Sequence, residues 1–160
     1  MVIEQLKIEP LSAVLGARVT GLDLAQETAE PVKQEMRDAF NKYGVLCFSG
    51  QKIEPDDQFR FASVFGRADT GKAGRIVANE GKERERGVMF ITNIRENGKP
   101  IGALPDGEMH FHSDGSHRDV PYRATTLYAL QIPSRGGETK FANLYDAYDT
   151  LPEATKIRIA

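Results

Sequence analysis

The spacing of apolar positions along this chain changes several times, and each change marks an element. Residues 2–9 alternate apolar and charged side chains, and residues 16–24 resume an extended pattern after a turn at Pro10, so together they predict an opening β-hairpin. From Pro31 the period becomes helical. Val32, Met36, Ala39, Phe40 and Tyr43 fall on one stripe, proline suits the first helical position, and Gly44 stops the run. A short apolar strand over residues 45–48 follows. Glu54-Pro55-Asp56-Asp57 then sets acid at the positive end of a second helix, with Phe59, Ala62 and Phe65 as its inner face and Gly66 as its stop.

The middle of the chain reads differently. Over residues 67–87, ten of twenty-one side chains are charged and four positions are glycine, which predicts a flexible charged surface loop. Thr70-Gly71-Lys72-Ala73-Gly74 within it lacks both the glycine spacing and the preceding strand of a phosphate-binding loop. A strand over 88–92, the tight-turn pair Asn97-Gly98 and an apolar segment at 101–104 predict a second hairpin. Pro105-Asp106-Gly107 turns the chain into a histidine-bearing stretch. Beyond it, residues 124–132 are the clearest β run, ended by Pro133-Ser134 and Gly136-Gly137, and Thr139-Lys140-Phe141 predicts another strand. Asn143 suits the cap of a helix carrying Leu144, Ala147, Tyr148 and Leu151, and Pro152 suits the start of a further helical turn. Short strands parted by Gly and Pro turns, with helices at both ends, predict a mixed α and β fold: an antiparallel barrel or jelly roll with helices packed outside.

Composition narrows the partners. With 160 residues and 40% hydrophobic side chains, the chain fits one domain with a real core. A net charge of -2 and a pI near 5.9 supply no broad basic field, which argues against nucleic acid or an anionic membrane as the main partner and for a small-molecule substrate. Self-association into a homo-oligomer stays open. Cys47, the single cysteine, lies in an apolar run and reads as a buried, inert thiol. The N-terminus has no hydrophobic signal core and no 18-residue apolar run occurs, so the expected location is cytoplasmic.

The chemistry concentrates in Glu108-Met109-His110-Phe111-His112-Ser113-Asp114, which holds two of the three histidines and a carboxylate. In an extended run, residues i and i+2 share a face, so His112 and Asp114 aim at one spot. Imidazole with carboxylate suits a divalent first-row metal, and two histidines plus one carboxylate, with open positions, is the ligand set of non-haem Fe(II) oxygenases. By itself a His-x-Asp triplet is weak, since about 0.2 are expected by chance in this composition. His110 has the same strand parity but reads better as a neighbour of the metal or substrate than as a ligand. His117 lies in a polar turn, where an exposed side chain is the ordinary outcome.

His112-Ser113-Asp114, followed by an apolar strand and then Pro133-Ser134-Arg135-Gly136-Gly137-Glu138-Thr139, resembles the taurine and 2,4-dichlorophenoxyacetate dioxygenase family. His112 and Thr139 stand 27 residues apart, a gap similar to that between the family's His-x-Asp motif and its Gly-Gly-x-Thr segment. Residues 15–24, 43–51 and 61–66 also look like its N-terminal strands and second helix. The resemblance implies a double-stranded β-helix, a jelly-roll core with flanking helices, of which this chain would be the incomplete N-terminal portion of a single dioxygenase domain. It implies Fe(II) held by His112 and Asp114, 2-oxoglutarate as cosubstrate with Thr139 touching it, and O2. The reaction implied is hydroxylation of a small acidic organic substrate, with decarboxylation of 2-oxoglutarate to succinate and CO2.

The family completes its triad with a distal histidine and binds the far carboxylate of 2-oxoglutarate with an arginine, and neither has a matching position here. The 160-residue chain alone is therefore expected to be inactive. A non-catalytic jelly-roll binding module, or an inactive fragment of such an enzyme, is the alternative. Halogenation, in which chloride replaces the metal-binding carboxylate, is opposed by Asp114.

Overall fold

A computed structural model of the chain describes residues 6–68, 88, 91–100 and 109–160. The chain divides into two compact units: one of residues 1–23, 27–51 and 131–160, the other of residues 24–26 and 52–130.

In the first unit, β1 (Lys7–Pro10) and β2 (Ala17–Thr20) form the expected antiparallel hairpin, with Lys7 opposite Thr20 and Pro10 opposite Ala17. Its loop is closed by Ser12, whose Oγ donates to the Leu15 carbonyl at 2.6 Å and accepts from the Leu15 amide at 3.0 Å. β3 (Leu46–Phe48) lies parallel to β2 at the other edge, giving the order β1-β2-β3. Parallel neighbours need a crossover, and helix α1 (Glu30–Tyr43) supplies it. The helix is as the apolar stripe requires: proline sits in its first turn, Met36 and Ala39 are buried, and Gly44 caps it in the left-handed region at φ 69°. The Gly44 amide donates to the Phe40 carbonyl at 2.8 Å, closing the last turn. Ala17 and Val19 are the inward residues of β2 and, with Met36 and Ala39, are the buried apolar residues among those described in this unit.

Further along, Asn143 caps α3 (Leu144–Asp149) by accepting from the Tyr145 and Asp146 amides at 3.0 and 3.4 Å. Its side-chain Nδ2 donates to the Val14 carbonyl at 2.8 Å, tying this helix start to the loop of the first hairpin. Pro152 then precedes α4 (Glu153–Ile159).

The second unit carries α2 (Pro55–Ala62), which starts in a capping box: the Glu54 side chain accepts from the Asp57 amide, and the Asp57 carboxylate accepts from the Glu54 amide at 3.0 Å. The helix ends at Ala62, earlier than the Gly66 stop, because the chain tightens through Ser63 and Val64, and Val64 is the buried side chain there. Phe61 and Phe65 meet edge to face with centroids 5.5 Å apart. Leu24 is the other buried apolar residue among the unit's described residues, and Arg60 donates to its carbonyl at 3.1 Å. β4 (Arg95–Glu96) and β5 (Lys99–Pro100) form a hairpin at Asn97-Gly98, whose φ values of 51° and 77° are those of a tight primed turn. The expected strand over 88–92 is not seen, its described residues 88, 91 and 92 being irregular.

Several expectations are corrected. Among the described residues, the segments 124–132 and 139–141 and the histidine stretch from residue 109 are irregular rather than strands. Ala124, Thr126 and Tyr128 are half-buried while Thr125, Leu127 and Ala129 are exposed, so the period-two pattern is kept without a ladder beside it. Pattern decides which side chains turn inward, whereas a strand also needs a partner backbone. α2 and its lead-in hold this segment through side chains instead. Tyr128 Oη accepts from the Ile53 amide, and Gln58 Nε2 donates to the Thr126 carbonyl, each at 3.4 Å. Cys47 is exposed, not buried, because it is the outward residue of an edge strand. Residues 69–87 of the expected charged loop and residues 101–104 of the second hairpin lie outside the described residues. Among the described residues no helix is long and apolar enough to cross a membrane.

Candidate metal centre

His112 and Asp114 meet. His112 Nε2 stands 3.2 Å from Asp114 Oδ1, and both side chains are about half exposed. The stretch is not a strand, yet the i, i+2 relation still brings the two groups together, since Asp114 opens a turn directly after it. On its other side, His112 Nδ1 lies 2.8 Å from the His110 carbonyl. A carbonyl can only accept, so Nδ1 carries the proton and Nε2 is the nitrogen that faces the carboxylate.

That arrangement sets the electrostatics. The His112 pKa is raised above its ordinary value, first by the hydrogen bond to the His110 carbonyl, against a smaller opposing effect of lost hydration, and then by the charge and hydrogen bond of Asp114. Neutral His112 presents a lone pair to an anionic oxygen, so a proton or a cation between them relieves the repulsion.

The donor set also fits a metal by chemistry and by separation. Two donors with bonds of about 2.1 Å at roughly right angles would be about 3.0 Å apart, and this pair is 3.2 Å apart. The bond from a ligating histidine's second nitrogen to a backbone carbonyl is the usual outer support of such a ligand. Among the described residues no three His, Cys, Asp or Glu side chains gather as a metal site, so the pair is as much of one as these residues hold. His110 takes part through its carbonyl, and His117 is exposed in the turn that follows.

Thr139 belongs to the first unit, whereas His112 and Asp114 belong to the second. It is exposed, and the glycines before it, Gly136 and Gly137, both take positive φ, 75° and 76°. A Cβ on Gly137 would stand 2.9 Å from Pro133 Cγ, so glycine there is required twice, by backbone conformation and by space.

Three residues went unnoticed in the sequence. Gly115, next to Asp114, is buried under the ring of Tyr122, and Arg118 stacks on that ring with its guanidinium carbon 4.6 Å from the centroid. A glycine directly after His-x-Asp is a legible sign of a left-handed turn, but nothing in the spacing marks Tyr122.

Comparison with known proteins places the chain in a family. The model of the "Taurine catabolism dioxygenase TauD, TfdA family" matches residues 7–160, and the chain belongs to that family. A (S)-phenoxypropionate/alpha-ketoglutarate-dioxygenase of Delftia acidovorans is 31% identical over 161 residues, covering 94% of this chain and 51% of that protein. Pentalenolactone F synthase of Streptomyces avermitilis is 33% identical over 150 residues, covering 92% of this chain and 48% of that protein. The crystal structure of AAD-2 in complex with Mn(II) and N-oxalylglycine is similar with a TM-score of 0.77 at 28% identity, covering 97% of this chain and 56% of that one. The chain thus spans about half the length of the curated relatives it matches.

Proposed function

We propose that the protein carrying this chain is an Fe(II)- and 2-oxoglutarate-dependent dioxygenase that hydroxylates a small acidic organic substrate, and that its fold is a double-stranded β-helix with flanking helices. The observation that carries this reading is the pair of His112 Nε2 and Asp114 Oδ1 at 3.2 Å, oriented by the His110 carbonyl, in a chain of this family. The relatives' names support the acidic class: phenoxypropionate is a carboxylic acid, and alpha-ketoglutarate is named with it.

In this reading His112 and Asp114 are two of the metal's ligands and His110 is not one. Bound there, Fe(II) with 2-oxoglutarate supplies the oxidising chemistry, with succinate and CO2 as coproducts. The chain's residues do the positioning. The His110 carbonyl fixes the tautomer that leaves Nε2 free to ligate, and Asp114 contributes the negative charge that a divalent cation requires. Thr139, held after two glycines in left-handed conformation, offers a hydroxyl donor to the distal carboxylate of 2-oxoglutarate.

The test is succinate formation from 2-oxoglutarate with iron and ascorbate, against a panel of aryloxy, sulfonate and sulfate-ester acids. Anaerobic titration for the charge-transfer band of the iron and 2-oxoglutarate complex accompanies it. Turnover and band should vanish in His112→Ala and Asp114→Ala and persist in His110→Ala. Turnover that survives His112→Ala would overturn the assignment.

A further inference from the structure

Asp114 is followed by a residue with no freedom to be anything but glycine. Gly115 has a φ of 69°, and a Cβ built on it would lie 2.7 Å from Tyr122 Cδ2 and 3.1 Å from both Cε2 and Cγ. The ring therefore lies flat on the backbone of the turn, and Gly115 is buried while the residues around it, from His110 to Asp119, are exposed. Arg118 covers the ring at 4.6 Å and is tied to the same turn, its amide donating to the Gly115 carbonyl at 3.0 Å. The Ser116 amide donates to the Ser113 carbonyl at 3.3 Å. Turn, ring and guanidinium thus form one contiguous cluster that starts at the peptide after Asp114.

We propose that Tyr122 is a positioning residue for the metal centre: its ring, clamped by Arg118, packs on Gly115 and so fixes the backbone that aims the Asp114 carboxylate at His112 Nε2. The inference rests on the reading of His112 and Asp114 as ligands and goes beyond it by naming what holds them. The physical need is plain. Both ligand side chains are half exposed and sit on irregular backbone, so neither a ladder nor a core restricts them, and a carboxylate free to swing would lose the pairing that a cation exploits. An aromatic face packed on a glycine, with a guanidinium over the same ring, supplies that restriction through ring contacts rather than hydrogen bonding. The ring should therefore matter and the hydroxyl should not.

The experiment is Mn(II) titration of the protein, followed by the electron paramagnetic resonance signal of free Mn(II), for the native sequence, Tyr122→Phe and Tyr122→Ala. The expected result is native affinity in Tyr122→Phe and about tenfold weaker binding in Tyr122→Ala, the low end for residues that orient metal ligands. The thermal midpoint of Tyr122→Phe should match the native protein. Should Tyr122→Ala fail to fold, Tyr122→Leu, which fills space without offering a flat face, takes its place with the same expectation. Equal Mn(II) affinity in the native protein and in the folded ring-deleted variant would overturn the inference and leave the ligand assignment standing. Absence of Mn(II) binding by the native protein would instead overturn the ligand assignment.

Discussion

If His112 and Asp114 ligate a metal as proposed, acid should release it, and the geometry says where on the pH scale and how steeply. His112 Nδ1 is committed to the His110 carbonyl whether or not the ring is charged, so the proton that comes and goes is the one on Nε2, between the ring and Asp114. Metal and proton compete for that one lone pair. The His112 pKa is raised from the ordinary 6.5, chiefly by the His110 carbonyl and further by Asp114, so the charged ring persists to a higher pH than a free imidazole. Metal affinity should accordingly be level above this raised value and weaken by about tenfold for each unit of pH below it, one proton being displaced per ion. The sign for the metal-free protein is opposite: the charged ring's interactions favour the fold at low pH, and that contribution is lost as pH rises through the raised value. Two measurements check this. The ring resonances of His112 in the metal-free protein should titrate with a midpoint above 6.5, and Asp114→Asn should lower the midpoint without abolishing the upward shift, since the larger cause remains. Mn(II) dissociation constants across the same range should break at the native midpoint. A midpoint at or below 6.5, or an affinity indifferent to pH below it, would refute the reasoning.

Stability predictions follow from the first unit. Met36 is fully buried in α1, and Met36→Ala should cost about 2–5 kcal/mol in a urea unfolding titration, with loss near zero showing that the site collapses or is not core. Asn143→Ala removes the acceptor for two α3 amides and should cost about 1 kcal/mol in the same assay, whereas Asn143→Asp, which keeps an acceptor, should recover most of it. Gly44→Ala forces a Cβ into a left-handed position with Leu15 Cδ1 3.0 Å away and should cost about 1–2 kcal/mol, read as a lowered thermal midpoint.

The legible parts of the chain are those whose cause is local. The stripe from Val32 to Tyr43, the proline at its start and the glycine at its end give α1 nearly to the residue, and Asn97-Gly98 places the small hairpin, because capping and turn conformation depend on adjacent residues alone. The meeting of His112 and Asp114 was legible for the same reason, two residues apart being close in any open backbone.

The sequence by itself determined α1 with its Gly44 end, the Asn143 cap, the Asn97-Gly98 turn, and the family to which the chain belongs. Tertiary structure alone decided what depends on a partner brought from elsewhere in the chain. It put β3 beside β2 in parallel and thereby left Cys47 on an edge, and it tied α3 to the first hairpin through Asn143 and Val14. It left Thr126 and Tyr128 held by Gln58 and by the Ile53 amide rather than by a ladder. It also set the Tyr122 ring on Gly115 beside the candidate ligands, and the reason is physical: a helix or a turn is specified by neighbours along the chain, while a ladder or a stacking contact exists only once distant backbone has closed upon it.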